Sequence, residues 1–146
     1  MPPLVRRAQA LAQGLGFALS SRPEVGRLLH TLAASVRDGR IGEMGTDTGV
    51  GAAWMASALG PGGTLVTVEA DAERAAGAAR LFADLPNVQV LHADLTALLT
   101  RGPFDLVFVD GPSAMKGSPA AMANRAATWA ATMRWRRSWP RCAPAG

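Results

Sequence analysis

"IGEMGTDTGVGAAWMASALG", residues 41–60, carries a short apolar run into an Ala-rich stretch through a turn with glycines at 45, 49 and 51. The run ends in an acid, Glu43. A strand, a glycine-rich turn and a helix bring backbone N–H groups close to a ligand, and the helix N-terminus favours an anionic group. Two common ligands fit poorly. The dinucleotide pattern needs glycines at i, i+2 and i+5, and counting from Gly49 and Gly51 the third position is Trp54. A phosphate-binding loop needs Gly-Lys followed by Ser or Thr, and the single lysine of the chain is Lys116.

The flanking sequence sets this turn in an α/β pattern. Leu4, Ala8, Leu11, Leu15 and Leu19 recur at helical spacing and predict an amphipathic helix over the first twenty residues. In Ser21-Arg22-Pro23-Glu24 a capping hydroxyl stands three residues before a Glu, with Pro in the first turn. Val25, Leu28, Leu29, Leu32 and Val36 then form one apolar face, and Asp38-Gly39 stops the helix. Strands are expected near 40–44, 64–69, 88–92 and 104–109, with helices near 50–59, 71–84 and 95–100 between them. Strands alternating with helices imply a parallel sheet covered on its faces, with ligands at the carboxyl ends of the strands. Residues 1–39 are read as N-terminal helices, 40–111 as the ligand-binding core and 112–146 as an irregular basic tail.

With 146 residues the chain has the length of one domain. No apolar run approaches the roughly 20 residues that cross a bilayer. The N-terminus lacks a signal-like apolar core, and a lone Cys142 forms no internal disulfide. A cytoplasmic protein without a membrane partner is expected. The net charge of +4 is unevenly spread: residues 1–111 hold nine Arg and eleven acids, whereas 112–146 hold Lys116, five Arg and no acid. Basic residues interleaved with three Trp could bind single-stranded nucleic acid, so a non-catalytic nucleic-acid-binding module is one alternative function.

G-x-x-x-G-x-G resembles both the short-chain dehydrogenase turn and the first motif of class I S-adenosylmethionine-dependent methyltransferases. The dehydrogenase resemblance implies a catalytic Tyr, and the chain has no tyrosine; an NAD(P)-binding protein of that kind is the second alternative. Glu43 suits a cofactor carrying a sulfonium or ammonium and would repel a pyrophosphate. The stretch "SSRPEVGRLLHTLAASVRDGRIGEMGTDTGVGAAWMA" resembles the catechol-type O-methyltransferase family, whose motif has the shape E-x-G-T-x-x-G. That resemblance implies a Rossmann-like methyltransferase fold with strand order 3-2-1-4, S-adenosylmethionine as cofactor and a small-molecule hydroxyl as methyl acceptor. Glu43, Gly45, Thr46, Gly49 and Gly51 are then cofactor-binding. Glu69, closing "GTLVTVEAD", would accept the ribose hydroxyls through bonds worth about 1.5–3 kcal/mol each. Asp94, in "VQVLHADLTALL", would accept the adenine amine. Asp110, closing "PFDLVFVDG", would border the cofactor, stand at the reacting centre and, in metal-dependent members, bind a divalent cation that lowers the acceptor's pKa.

Some residues depart from the family pattern. Gly51 stands where the family usually has Ser, Gly42 replaces a bulky strand residue, and Gly-Pro-Ser instead of Ala-Asp-Lys follows Asp110, which argues against the cation. Asp71 reads as a helix N-cap, Asp105 as a solvated charge, Asp47 as a turn former, and His30 and His92 as structural. Trp54 and Met55 read as core.

The family's next helix, Pro-Gly-Gly turn and fifth strand are not found after Asp110. Back-translating Met133 to Gly146 with C or G at free third positions, and reading one base earlier, yields an apolar helical stripe ending in Arg-Pro-Gly-Gly. A reading-frame shift between about residues 111 and 133 accounts for the tail. The expected sheet is thus incomplete after strand four, which becomes an edge prone to self-association, and methyl transfer by this chain is expected to be impaired.

Overall fold

The computed structural model describes residues 1–17 and 20–110. The tail, its proposed frame shift and any strand beyond the fourth lie outside the described residues. Four helices and four strands follow one another as α1 (Pro3–Gly14), α2 (Pro23–Ser35), β1 (Arg40–Met44), α3 (Val50–Ala56), β2 (Thr64–Glu69), α4 (Ala72–Leu81), β3 (Val88–His92) and β4 (Leu106–Val109). A short 3-10 helix, Leu95–Thr100, separates β3 from β4. The strands are parallel in the order β3-β2-β1-β4, the order that the family resemblance implies.

The two sheet faces are covered differently. Ile41, Leu65, Val88, Val90, Leu106 and Phe108 face the layer made by all four helices. Met44, Val66, Val68, Leu91 and Val107 face Leu95, Leu98 and Phe104. Gly42 lies on this second face, where a Cβ would come within 3.1 Å of Leu98 and 3.2 Å of Phe104. It weakens the strand's own propensity but lets the 3-10 helix and Phe104 seat directly on β1.

Several sequence expectations shift. β4 begins at Leu106 because Phe104 is drawn into the second-face core and Asp105 binds β1, its backbone N–H donating to the Arg40 carbonyl at 2.8 Å. Asp105 also makes a structural bond, its Oδ2 accepting from the Arg40 N–H at 2.8 Å. In α1 the buried side is Val5, Ala8 and Ala12, with Leu15 exposed beyond the helix end. In α2 it is Gly26, Leu29 and Ala33, leaving Val25, Leu28 and Leu32 exposed. Helices packed through small residues approach closely, so Ala and Gly share the contact with Leu4, Leu11, Leu29 and Val36 of the predicted stripes.

The closest such approach is between α2 and α3. A Cβ on Gly26 would lie 2.0 Å from Trp54 Nε1, so the indole rests on bare helix backbone. His30 Nδ1, 3.1 Å from the Trp54 carbonyl oxygen, ties the same two helices. Gly26→Ala should therefore destabilise the fold by about 1–3 kcal/mol in chemical denaturation, overlap outweighing a propensity gain of about 1 kcal/mol. A stabilised Gly26→Ala variant would show that the indole is not held against this backbone.

Candidate functional site

β1 and β2 end side by side, and their register places Glu43 opposite Thr67 on the helix-covered face. Glu43 is fully buried. Thr67 Oγ1 donates to Glu43 Oε2 at 2.5 Å. Thr46 Oγ1 lies 2.5 Å from Thr67 Oγ1, and because Thr67 has spent its only proton on Glu43, Thr46 must be the donor. Glu43 Oε1 has no partner among the described residues. Burial, reinforced by the charges of Asp110, Asp47 and Glu69, pushes the Glu43 carboxyl up to about 8, against the opposing bond from Thr67.

The three glycines of the turn serve two different needs. Gly45 (φ 89°) and Gly49 (φ 86°) take the left-handed backbone that side chains rarely adopt. Gly49 is the N-cap of α3 and lies against Phe82. Gly51 has ordinary backbone, but a Cβ there would stand 2.8 Å from Glu43 Oε1. Thr46 is buried, and its N–H donates to the Val68 carbonyl at 3.2 Å.

Asp110 follows β4, its N–H donating to the Met44 carbonyl at 2.8 Å. Ser21 Oγ donates to Asp110 Oδ2 at 3.4 Å. Ser21 is thus not the helix cap: Arg22 occupies the N-cap position of α2 and makes no side-chain cap bond. Ser20 Oγ lies 3.4 Å from Thr48 Oγ1. Together with Glu43 and the glycine turn these residues line a narrow cleft of about 10 Å³, room for one water.

Glu69 is 3% exposed at the end of β2. Its Oε2 accepts from the Asp47 N–H at 2.8 Å, and its Oε1 accepts from the Asp71 N–H at 2.9 Å and Arg74 Nη2 at 3.0 Å. Asp47 has a left-handed backbone (φ 49°), and burial next to Glu69 raises its carboxyl to about 6 against the pull of Arg74. Asp71 caps α4 as expected, accepting from the Arg74 N–H at 2.9 Å. Asp94 stands apart, exposed at the start of the 3-10 helix, where its Oδ1 accepts from the Thr96 N–H and hydroxyl. Those two bonds hold its carboxyl below the usual range.

Glu43, Asp47, Glu69 and Asp110 thus act electrostatically on one another, while Asp94 does not join them. No group of three or more His, Cys, Asp or Glu among the described residues could hold a metal ion. Thr67, Ser20, Ser21 and Arg74 were missed by the sequence reading. Thr67 had a signal, a polar residue inside a strand buried on both faces, and Arg74 another, a cation in a first helical turn.

A carboxyl whose folded pKa lies above its ordinary 4.5 contributes fully to stability at acid pH, and that contribution is lost as pH rises toward about 8. Glu43→Gln removes the effect. The variant should gain stability over the parent between pH 5 and pH 8, on the order of 4 kcal/mol, in denaturant titrations at the two pH values. A difference independent of pH would mean that Glu43 is ionised inside the ligand-free protein.

The family described as "Methyltransferase domain" matches residues 43–146. A catechol O-methyltransferase of Niastella koreensis is 34% identical over 116 residues, covering 73% of this chain and 52% of the relative. That of Mycobacterium tuberculosis is 38% identical over 92 residues, covering 58% and 41%. The chain thus spans about half the length, or less, of these relatives. An O-methyltransferase of Streptomyces achromogenes, solved in complex with S-adenosylmethionine, superposes with a TM-score of 0.72 at 27% identity over 92% of this chain and 62% of its own. The family match covers most of the chain and begins at the buried acid of the glycine turn, so the chain belongs to the methyltransferase-domain family.

Proposed function

We propose that this chain binds S-adenosylmethionine and belongs to an enzyme that methylates a hydroxyl of a small molecule. The observation that carries this reading is Glu43: a buried carboxyl with Oε1 unpartnered, surrounded by three further acids, calls for a cationic ligand. The residues fit the cofactor's polar groups. Glu43 meets its ammonium or sulfonium, Gly45, Thr46, Gly49 and Gly51 form the wall beside it, Glu69 accepts from the ribose, and Asp94 accepts from the adenine amine. The cleft must widen to admit it. When bound, the cofactor supplies an electrophilic methyl group. Asp110, braced by Ser21 at the mouth of the cleft, faces the acceptor and orients its hydroxyl. A divalent cation on Asp110 would need ligands from outside the described residues.

The relatives named as catechol O-methyltransferases support the reaction class, and the structure solved with S-adenosylmethionine supports the cofactor. Nothing in the site favours a dinucleotide, since the acids would repel its pyrophosphate. No described helix is long and apolar enough to cross a membrane. β4 ends the described sheet with Val109 exposed, which supports self-association through that edge.

Calorimetric titration with S-adenosylhomocysteine should show binding, and Glu69→Ala should abolish it. Stronger binding of NADH would overturn the assignment. At pH 6.5 the same titration, repeated in buffers of different ionisation enthalpy, should report release of up to about one proton per ligand as the ammonium drives ionisation of Glu43. The release should fade above pH 8 and vanish in Glu43→Gln. Binding without proton release would place the ammonium elsewhere.

A further inference from the structure

We propose that Arg74 gates the cofactor site: in the ligand-free protein its guanidinium occupies the position on Glu69 Oε1 that a ribose hydroxyl takes on binding. The inference rests on reading Glu69 as the ribose carboxylate. A carboxylate offers about four lone-pair positions. Three are filled here, two by the backbone N–H groups of Asp47 and Asp71 and one by Arg74 Nη2. The backbone donors are fixed by the chain. Arg74 is the movable one, and a diol needs two acceptor positions where one remains.

Arg74 can leave Oε1 without being stranded. Its side chain is 34% exposed and its guanidinium carbon lies 5.5 Å from the Phe17 ring centroid, whereas the 3.8 Å contact of its Nε with Asp47 Oδ1 is given up on leaving. That Nε makes no hydrogen bond among the described residues, so only part of the donor fork is engaged. Arg74 also stands in the first turn of α4, where the helix dipole disfavours a cation. The neighbouring acids hold it there, not the helix. Arg74 is therefore an internal counter-ion for Glu69 and Asp47, and its departure removes positive charge from the site as a positively charged ligand arrives. Asp47, which lines the narrow cleft, is released in the same movement.

The test uses the whole chain and its Arg74→Met variant, titrated with S-adenosylhomocysteine and with the more cationic S-adenosylmethionine. Loss of the competing bond should tighten S-adenosylhomocysteine about tenfold, and S-adenosylmethionine by a larger factor. A residue that merely supports the fold would weaken both alike. In the wild-type chain the Arg74 Nε–H resonance should shift on saturation with S-adenosylhomocysteine, a readout that holds even if the variant does not fold. Unchanged or weaker binding by a folded variant, or an unmoved Arg74 signal at saturation, would overturn the gate and leave the cofactor reading intact. Failure of the wild-type chain and of Arg74→Met alike to bind either compound would remove both.

Discussion

A carboxyl buried without a cation beside it, at the end of the first strand, is the constraint around which the rest of the site is arranged. Glu43 receives one hydrogen bond, from Thr67, on an oxygen that faces the next strand. Thr67 is there because the parallel register puts it opposite Glu43, and Thr46 completes the chain from the turn above. Gly51 leaves the other oxygen room that any Cβ would take. Desolvation is costly for a charge and much less so for a neutral acid. Burial therefore favours the protonated carboxyl in this ligand-free structure.

The same logic extends to the neighbouring strand ends. Parallel strands terminate on one edge of the sheet, so acids at their ends are brought together irrespective of sequence separation. Glu69 is made tolerable by two backbone donors and Arg74, and Asp110 by Ser21 from the segment before α2. The site is poised between self-neutralisation and ligand capture. In the ligand-free structure, burial favours the protonated Glu43 and Arg74 offsets the charge of Glu69.

The scaffold beneath is made rigid by absence of side chains. Gly42 admits Phe104 and Leu98 to one face of β1, and Gly26 admits the Trp54 indole between two helices on the other. Both contacts bring an aromatic ring onto bare backbone, where packing is dense and small changes are felt. The first seats the 3-10 helix and Phe104 on β1, which carries Glu43, and the second joins α2 to α3.

Local sequence determined the element types and much of their extent. Periodicity and Gly-Pro breaks marked β1 and β2 because strands buried on both faces read as short apolar runs whatever they pack against, and β3 through Val88 and Val90 alternating with the exposed Gln89 and His92. The glycine turn, Glu43, Glu69 and Asp110 were legible for a related reason: strand ends and the left-handed turn positions are local properties. Tertiary structure alone decided the rest. It turned α2 so that Gly26, Leu29 and Ala33 are buried while Val25, Leu28 and Leu32 stay exposed, since close approach between helices rewards a missing side chain that no hydrophobic pattern displays. It sent Ser21 to Asp110 instead of its own helix, and set Arg74 on Glu69. A hydroxyl or guanidinium chooses among partners by distance, and the distances between segments 5 to 89 residues apart exist only in the folded chain.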